Sequence, residues 1–293
     1  MQKIIDISHY QTVTSWSAVK SSVDAVIIKA TQGHALSSNS YLFTDSKFHE
    51  YAKACVKNLI PFGAYHFFTG NTMANAVKEA DHFAKQLEPY KDKLIYAVCD
   101  AENYNNKWLL GLSREQLTAN INAFCRRMEQ HGYVAAHYTN TDHIQNYINL
   151  KSIDYPLWQS HYGSNSKPTH GGNKLIAWQY TDEGRVNGIR ENVDLNHGYI
   201  DDAEFAIMQL GARGLMNTPL YWRQNYTKLR YLDKLLISCA ARIKKAGKPT
   251  ATTEAAITSL HQAGIIDTPE YWRNNAAAIT HLPELLRNLG GAV

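Results

Sequence analysis

The chain has 293 residues, of which 44% are hydrophobic and 19% charged, and its formal net charge is +4. This length and composition predict a globular, water-soluble protein with two domains, each able to bury a core. The mild positive charge, without a dense stripe of Lys and Arg, argues against nucleic-acid binding and fits a polyanionic surface without requiring one.

Cysteine usage and the apolar stretches exclude further classes of protein. The four cysteines, Cys55, Cys99, Cys125 and Cys239, are isolated and lack a C-x-x-C pair, which argues against zinc and redox sites. Three of them lie in apolar stretches, which is typical of small core residues. The start, MQKIIDISHYQ, lacks the features of a signal peptide, and no stretch approaches membrane-spanning length. No phosphate loop or dinucleotide fingerprint is found. We therefore expect synthesis in the cytoplasm, no membrane span, no metal and no cofactor.

Strand and helix patterns alternate over the first 200 residues. Most candidate strands are continuous apolar runs, as expected for a parallel sheet covered by helices. We predict eight strands, at residues 3–8, 25–33, 61–68, 93–102, 133–140, 156–162, 175–181 and 192–196. Helical patterns lie at about 45–58 and 73–87, and a third begins at Ser113, where Gln116 completes a capping box, and stops near Gly132. The last three strands leave little room for helices, so the sequence predicts an α/β fold, an irregular (β/α) barrel of five β/α units and a β-rich closure.

An internal repeat with an offset of fifty residues follows the barrel. The segment AIMQLGARGLMNTPLYWRQN at 206–225 matches AITSLHQAGIIDTPEYWRNN at 256–275. Each copy predicts a helix that ends at a glycine, a Thr-Pro pair that caps a second helix, and a leucine-rich third helix. A polar linker covers 244–253. The predicted domains are therefore a barrel at 1–202 and an all-α domain at 203–293, with copies at about 203–243 and 253–293.

Four acids lie within predicted strands of the barrel or at their ends. Asp6 lies near the end of the first strand, Asp100 and Glu102 end the fourth, and Asp194 lies in the last. Strand side chains alternate between faces, so Asp100 and Glu102 point the same way. Because functional residues of such barrels gather at the C-terminal ends of the strands, we expect one mouth to contain all four. Crowded carboxylates hold a proton near neutral pH, as glycoside cleavage requires.

Ordered motifs over residues 1 to about 200 resemble those of the family-25 glycoside hydrolases, the N-acetylmuramidases or lysozymes of phages and bacteria. The motifs are DISHYQ, VIIKATQG, FGAYHFF, YAVCDAE, LWQSHY, AWQYTDEGRVNGI and VDLN. The resemblance implies a flattened (β/α)₅β₃ barrel. It also implies hydrolysis, with retention, of the β-1,4 bond between N-acetylmuramic acid and N-acetylglucosamine in peptidoglycan.

The resemblance also implies a role for each acid. Glu102 stands at the position of the general acid, and Asp100 at that of a companion carboxylate that orients the 2-acetamido group of the substrate or assists at the anomeric centre. Asp6 and Asp194 match the outer two acids. The nucleophile is either a carboxylate or the acetamide oxygen of the substrate. Each acid also has a structural alternative, such as a buried ion pair, a helix cap or a turn.

Aromatic residues near the predicted strand ends are candidates for stacking on sugar rings, although core packing is the default for each alone. These substrate-binding candidates are Tyr65, Phe67, Tyr138, Trp158, Tyr162, Trp178 and Tyr180. Alternation places Tyr65 with Phe67 on one face, and Trp178 with Tyr180 on one face. His66, His137 and His161 lack helical metal-binding spacing, so a metal site is not expected.

The repeats are compatible with a wall-binding module or with a unit for self-association, since paired weak sites raise avidity for a repetitive polymer. Trp222 and Trp272, with Arg223 and Arg273, are contact candidates, and the alternative for the tryptophans is packing inside each copy. The sequence thus predicts a lytic muramidase of the phage endolysin type. It would act on the bacterial wall after release, with peptidoglycan and an anionic wall polymer as partners. The alternative function is a non-catalytic wall-binding protein built on a disabled barrel.

Overall fold

The computed structural model describes residues 1–35, 40–102, 109 and 111–293. The chain divides into two compact units, residues 1–200 and 201–293. Each unit contains its own cluster of buried apolar side chains. Within the described ranges, no helix has both the length and the apolar character needed to cross a membrane.

Nine strands form the sheet that the described part of the first unit contains. They are β1 (Gln2–Ile7), β2 (Ala25–Ala35), β3 (Ser40–Thr44), β4 (Phe62–Phe67), β5 (Leu94–Asp100), β6 (Ala135–Asn140), β7 (Leu157–Ser160), β8 (Leu175–Gly184) and β9 (Val193–Gly198). Eight of them correspond to the predicted strands. The ninth, β3, lies where the sequence predicted no element.

The sheet closes into an eight-stranded barrel, as predicted. Its order is β1-β9-β8-β7-β6-β5-β4-β2, and β1 pairs in parallel with β2 to complete the ring. Neighbours from β1 through β8 run parallel, whereas β9 is antiparallel to both β8 and β1. The extra strand β3 lies outside the ring, antiparallel to β2.

Helices connect the parallel strands. They are α1 (Trp16–Ser22), α2 (Phe48–Asn58), α3 (Met73–Leu87), α4 (Arg114–Gln130) and α5 (Thr141–Asn146). The capping box predicted at the start of α4 is present, because Ser113 accepts from the Gln116 amide and the Gln116 side chain accepts from the Ser113 amide. The sequence missed α1 and α5, which have only seven and six residues.

The two faces of the barrel strands have different neighbours. On β5, Ala97 and Cys99 belong to the cluster that packs under the helices. The alternate side chains, Tyr96 and Val98, line a narrow apolar space inside the ring. Asp100 follows them on the inner face, at the C-terminal end of the strand. All four cysteines are buried free thiols, as expected for core residues.

The second unit consists of two copies of a three-helix motif. Its helices are α6 (Asp202–Ala212), α7 (Pro219–Asn225), α8 (Leu232–Arg242), α9 (Thr253–Gln262), α10 (Pro269–Asn275) and α11 (Leu282–Gly290). Gly214 and Gly264 follow the first helix of each copy with φ of +72° and +64°, the left-handed conformation that glycine favours. The capping prediction was wrong in one respect. Thr218 and Thr268 occupy the N-cap positions, but neither side chain makes the capping hydrogen bond.

The Tyr and Trp residues of the repeated Tyr-Trp-Arg triplets pack inside the second unit. Trp222 and Trp272 are buried in the cluster that both copies share. Their ring faces are therefore not available to a ligand, and packing explains both tryptophans. Tyr221 packs edge-on against His281 with ring centroids 4.8 Å apart, and Tyr271 packs against Tyr231 at 5.4 Å. His281 and Tyr231 are fifty residues apart, so the two contacts are reciprocal.

Candidate active site

The barrel brings the four predicted acids to the C-terminal end of the ring. Asp6 of β1 lies directly opposite Asp194 of β9 in the antiparallel register. Asp100 is the last residue of β5, between Phe67 of β4 and Tyr138 of β6. The charge of Asp194 acts on both Asp100 and Glu102, which shows that the two strand ends face one site.

Asp6 and Asp194 form a proton-sharing pair. Burial raises the pKa of Asp194 to about 9, and the charge of Asp6 and a hydrogen bond to it add to the shift. Burial raises the pKa of Asp6 as well, but donors from Asp194, Asn196 and Gln179 oppose that rise. Asp194 is therefore the protonated partner, and its hydroxyl donates a hydrogen bond to the carboxylate of Asp6, the more acidic of the two.

Gln179 of β8 links this acid pair to two tyrosines. Its Nε2 donates to Asp6 Oδ2 at 3.0 Å and to Asp194 Oδ2 at 3.2 Å. Its Oε1 accepts from the Tyr138 hydroxyl at 2.8 Å and from the Tyr162 hydroxyl at 2.6 Å. Both amide hydrogens and the carbonyl oxygen are thus used, which fixes the orientation of this buried amide.

Glu102 carries the shift expected of a general acid near neutral pH. Burial raises its pKa to about 7, with a further contribution from the charge of Asp194. A hydrogen bond from the Asn140 side chain and the charge of Lys29 act in the opposite direction. Both forms of this carboxyl are therefore populated near pH 7, the condition for proton transfer in either direction.

Asp100 is almost fully buried beside Glu102. Burial raises its pKa well above the usual range, and the neighbouring charge of Glu102 adds to the rise. Its Oδ1 has no hydrogen-bond partner among the residues that the structure describes. A buried carboxyl oxygen with no partner in the protein is suited to contact a bound substrate.

An open cleft of about 890 Å³ gives access to two of the four acids, Glu102 and Asp194. Glu102, Asp194 and Gln179 lie in its wall together with polar and aromatic side chains. The other lining residues are Tyr138, Asn140, Thr141, Asp142, Tyr147, Ser160, His161, Tyr162 and Asp182. A polar ligand that contains rings, such as a sugar, can therefore enter the cleft and reach these carboxyl groups.

The aromatic candidates divide between two sides of the barrel wall. Tyr138 and Tyr162 line the cleft. Tyr65 and Phe67 lie on the inner face of β4, because the alternate residue, His66, contacts Glu79 of α3 at 2.9 Å. Both rings are half-buried.

Two of the predicted substrate-binding residues, Trp178 and Tyr180, lie on the side of the sheet that faces away from the acids. Trp178 and Tyr180 share a face of β8, as expected, but it is the face opposite to Gln179. Both rings pack against His197, and Tyr180 is stacked on it with centroids 4.3 Å apart and an interplanar angle of 17°. These two rings point away from the acids.

Trp158 supports the acids and has no exposed ring face. It is 2% exposed, and its indole N–H donates to Asn196 Oδ1 at 2.6 Å. Asn196 Nδ2 in turn donates to Asp6 Oδ2 at 2.8 Å. The prediction that Trp158 stacks on sugar is therefore corrected, because the ring is enclosed and acts on Asp6 through Asn196.

Lys29 is a site residue that the sequence argument did not select. It lies on β2, and the charges of Asp100, Asp45 and Glu102 act on it, while burial lowers its pKa. Its Nζ donates to Gln32 Oε1 at 2.8 Å. The signal was present in VIIKATQG, because a lysine inside an apolar strand requires a polar or acidic partner.

The chemistry available to the site is acid catalysis beside carboxylates. One carboxyl can donate a proton, and its neighbours can stabilise positive charge that develops on a ligand. In the described ranges, no group of three or more His, Cys, Asp or Glu side chains has the arrangement needed to hold a metal ion.

Comparison with known proteins places this geometry in context. The sequence model of glycosyl hydrolases family 25 matches residues 5–189. The autolytic lysozyme of Clostridium acetobutylicum is 31% identical over 195 residues, which cover 66% of this chain and 55% of that protein. Lysozyme M1 of Streptomyces globisporus is 32% identical over 205 residues, 66% of each chain. This chain thus spans about half the length of the first relative.

A solved structure shares the fold. The bacterial lysozyme from Streptomyces coelicolor superposes with a TM-score of 0.60 and 27% identity. The match covers 72% of this chain and 97% of that one. The family match lies entirely within the first unit, residues 1–200.

Proposed function

The chain belongs to the glycosyl hydrolases of family 25, and from this premise we propose that it hydrolyses peptidoglycan. The bond cleaved is the β-1,4 linkage between N-acetylmuramic acid and N-acetylglucosamine, with retention at the anomeric carbon. Two relatives that carry the name lysozyme, each more than 30% identical, support this assignment. The alternative of a non-catalytic barrel is disfavoured, because all four acids are present and converge.

Glu102 is the general acid in this proposal. Its carboxyl gives a proton to the glycosidic oxygen as the bond to the anomeric carbon breaks. The observation that supports this most directly is a buried carboxyl at the cleft wall whose pKa is raised to about 7. Retention requires that a nucleophile, either a carboxylate or the acetamide oxygen of the substrate, first bonds to the anomeric carbon as the leaving sugar departs. The ionised Glu102 then accepts a proton from the water that displaces this nucleophile.

The three aspartates assist at the anomeric centre. Positive charge that develops on the sugar favours their ionised forms and is stabilised by them. Asp100, with a free oxygen beside Glu102, orients the 2-acetamido group of the substrate. Asp6 and Asp194, which accept hydrogen bonds from Gln179, contribute negative charge on the other side of the site and so help to stabilise the positive charge on the sugar.

Replacement of Glu102 by Gln tests the assignment. The variant keeps the shape of the side chain and cannot donate a proton, so we expect clearing of peptidoglycan to fall by at least about a hundredfold. Binding to walls and the thermal unfolding midpoint should stay close to those of the wild type. The measurement is release of new reducing ends without new amines, which separates a glycosidase from an amidase or a peptidase.

The cleft offers a matched control for this substitution. Asp142 is an exposed acid in the same cleft and is not one of the four converging acids. Asp142→Asn removes one negative charge from that wall, and we expect activity within about twofold of the wild type, as for surface substitutions in general. If Glu102→Gln released reducing ends at the wild-type rate, Glu102 would lose the role given to it.

The remaining predictions concern the cellular setting. We propose that the tandem copies of the second unit attach the protein to the wall, which is supported by their paired arrangement. The phage endolysin origin stays a prediction, because the relatives named above are bacterial lysozymes. A neighbouring gene for a membrane-permeabilising protein would support it, and a chromosomal location remote from phage genes would contradict it.

A further inference from the structure

Comparison of the two copies in the second unit separates what the fold requires from what only one copy has. Both copies have a buried Trp, a reciprocal Tyr contact and an Arg–Glu pair. Since two different sequences build the same three-helix motif, a feature found in one copy alone is not needed for folding.

Three exposed cations of the first copy lie close together in the sequence and have no counterpart in the second copy. They are Lys228 and Arg230, between α7 and α8, and Lys234, in the first turn of α8. At the equivalent positions the second copy has Ala278, Thr280 and Glu284. The dipole of a helix opposes positive charge at its N-terminus and favours a residue such as Glu284, so helix stability does not explain the cations.

Two of the three cations, Arg230 and Lys234, lie beside one aromatic ring. The guanidinium carbon of Arg230 is 4.6 Å from the centroid of Tyr231, and Lys234 Nζ is 5.6 Å from the same centroid. Tyr231 has a φ of +66°, which is unusual for a bulky residue, whereas the equivalent His281 has −98°. The first copy therefore adopts a backbone that the motif does not need and that brings this ring beside both cations.

Within the described part of the chain, no ion pair involves Lys228, Arg230 or Lys234, and the one acid in the same segment is Asp233, next to Lys234. The ion pairs of the second unit involve Arg223 and Arg273 and leave out the three cations. The first copy and the linker are thus rich in positive charge, while the second copy has more acids than cations. We call Lys228, Arg230, Tyr231 and Lys234 the cationic patch.

We propose that the cationic patch binds a phosphate-bearing polymer of the bacterial wall. The proposal rests on the wall hydrolysis proposed above, which places the chain on a surface that carries such polymers. Arg and Lys bind phosphate oxygens by charge-assisted hydrogen bonds, and exposed cations without an ion-pair partner gain from an anionic ligand. Because the second copy lacks these cations, the first copy binds the polymer, and the second copy stabilises the first by packing against it.

A triple variant tests the patch with residues that the motif accepts. Lys228→Ala and Arg230→Thr introduce the residues of the second copy, and Lys234→Gln removes the third charge. We expect the affinity for intact walls at moderate salt to fall by at least about tenfold, since the variant loses three positive charges that would attract an anionic polymer. Co-sedimentation of the full-length chain with walls measures it.

The linker provides the matched control. Lys244, Lys245 and Lys248 are exposed cations between the copies, and their replacement by Ala removes the same charge. We expect this variant to bind walls as the wild type does. If it lost as much affinity as the patch variant, net charge and not the patch would attract the protein to the wall.

Two further samples identify the polymer. Hydrofluoric acid removes phosphate-linked polymers from walls, and the wild type should bind such walls as weakly as the patch variant binds intact ones. Equal binding of the wild type to intact and stripped walls would overturn the proposal. Short duplex DNA is the other sample, and binding to it as tight as to walls, with the same loss in the patch variant, would show a general polyanion surface instead.

Hydrolysis is measured separately, on soluble peptidoglycan fragments. The patch variant should release reducing ends from them at the wild-type rate. A chain that bound walls through the patch but hydrolysed no fragment would contradict the proposed function and leave the patch intact. If the chain hydrolysed fragments and the patch variant bound walls as the wild type does, the patch proposal would be wrong and the proposed function would stand.

Discussion

Asp6 and Asp194 are opposed across an antiparallel strand pair, close enough to share one proton. Two carboxylates in such a position cannot both ionise cheaply in a buried site, because desolvation and repulsion act together. Gln179 and Asn196 offset part of that cost by donating to the pair. Positive charge that develops in the cleft therefore favours loss of the shared proton and ionisation of both carboxyls.

The pH dependence of folding tests this pair. The pKa of Asp194 is raised to about 9 in the folded protein and is about 3.9 in an unfolded chain. A raised pKa contributes stability that is fully present below about pH 4 and is lost as the pH rises towards 9. Asp194→Asn resembles the protonated form at every pH, so its unfolding midpoint should exceed that of the wild type at about pH 8 and not at about pH 4.

Thermal unfolding across that pH range measures the effect. The two curves should converge at acid pH and separate as the pH rises. Parallel curves would show that Asp194 is ionised in the folded protein. Activity of the variant should fall, since Asn cannot become the anion that stabilises the developing charge.

The sequence identified the acids but not the residues that hold them. Asp100 and Glu102 stand out because two acids end an apolar strand, and Asp6 because it interrupts an apolar run. Gln179 gives no such signal, since its role depends on contacts with Asp6, which is 173 positions away in the chain. Hydrogen bonds between strands so distant follow from the closure of the barrel and not from any local pattern.

Strands with one uninterrupted apolar run were predicted well, since continuous hydrophobicity is the pattern of a covered parallel sheet. The strand β3 was missed because it pairs on one side only and lies outside the ring. The helices α1 and α5 are too short to show a helical period. Alternation showed that Trp178 and Tyr180 share a face, but only the position of His197 shows which face it is.

The tandem copies provide a comparison of two equivalent ion pairs. Arg223 pairs with Glu204 at 3.1 Å, and its side chain is 6% exposed. Arg273 pairs with Glu254 at 2.7 Å, and its side chain is 38% exposed. The triplet arginines, which the sequence offered as contacts for a wall polymer, thus stabilise their own copies.

We expect Arg223→Ala to cost about 1–3 kcal/mol of unfolding free energy, between the values for exposed and fully buried pairs. Arg273→Ala should cost clearly less than Arg223→Ala, because exposed pairs contribute little to stability. The reason is that water screens the second pair and leaves the first largely unscreened. Urea unfolding of the two full-length variants gives both numbers, and equal costs would show that burial does not distinguish the copies.

The whole chain separates into a unit that holds the four acids and a unit that holds the repeats. The first unit has its own core, so a fragment of residues 1–202 should fold and hydrolyse soluble peptidoglycan fragments at close to the rate of the full chain. It should bind intact walls less well. Full-length Glu102→Gln is the reference for binding without hydrolysis, and equal sedimentation of the fragment would remove the targeting role of the second unit.

Closure of the ring has a consequence for synthesis on the ribosome. The first strand pairs with the ninth, so Asp6 meets Asp194 only after residues 193–198 have left the exit tunnel. A nascent or prematurely terminated chain lacks part of its acid cluster and exposes two unpaired strand edges, which favour aggregation. Under the proposed function, incomplete products would therefore lack the full set of acids, which assembles only when the last strand docks.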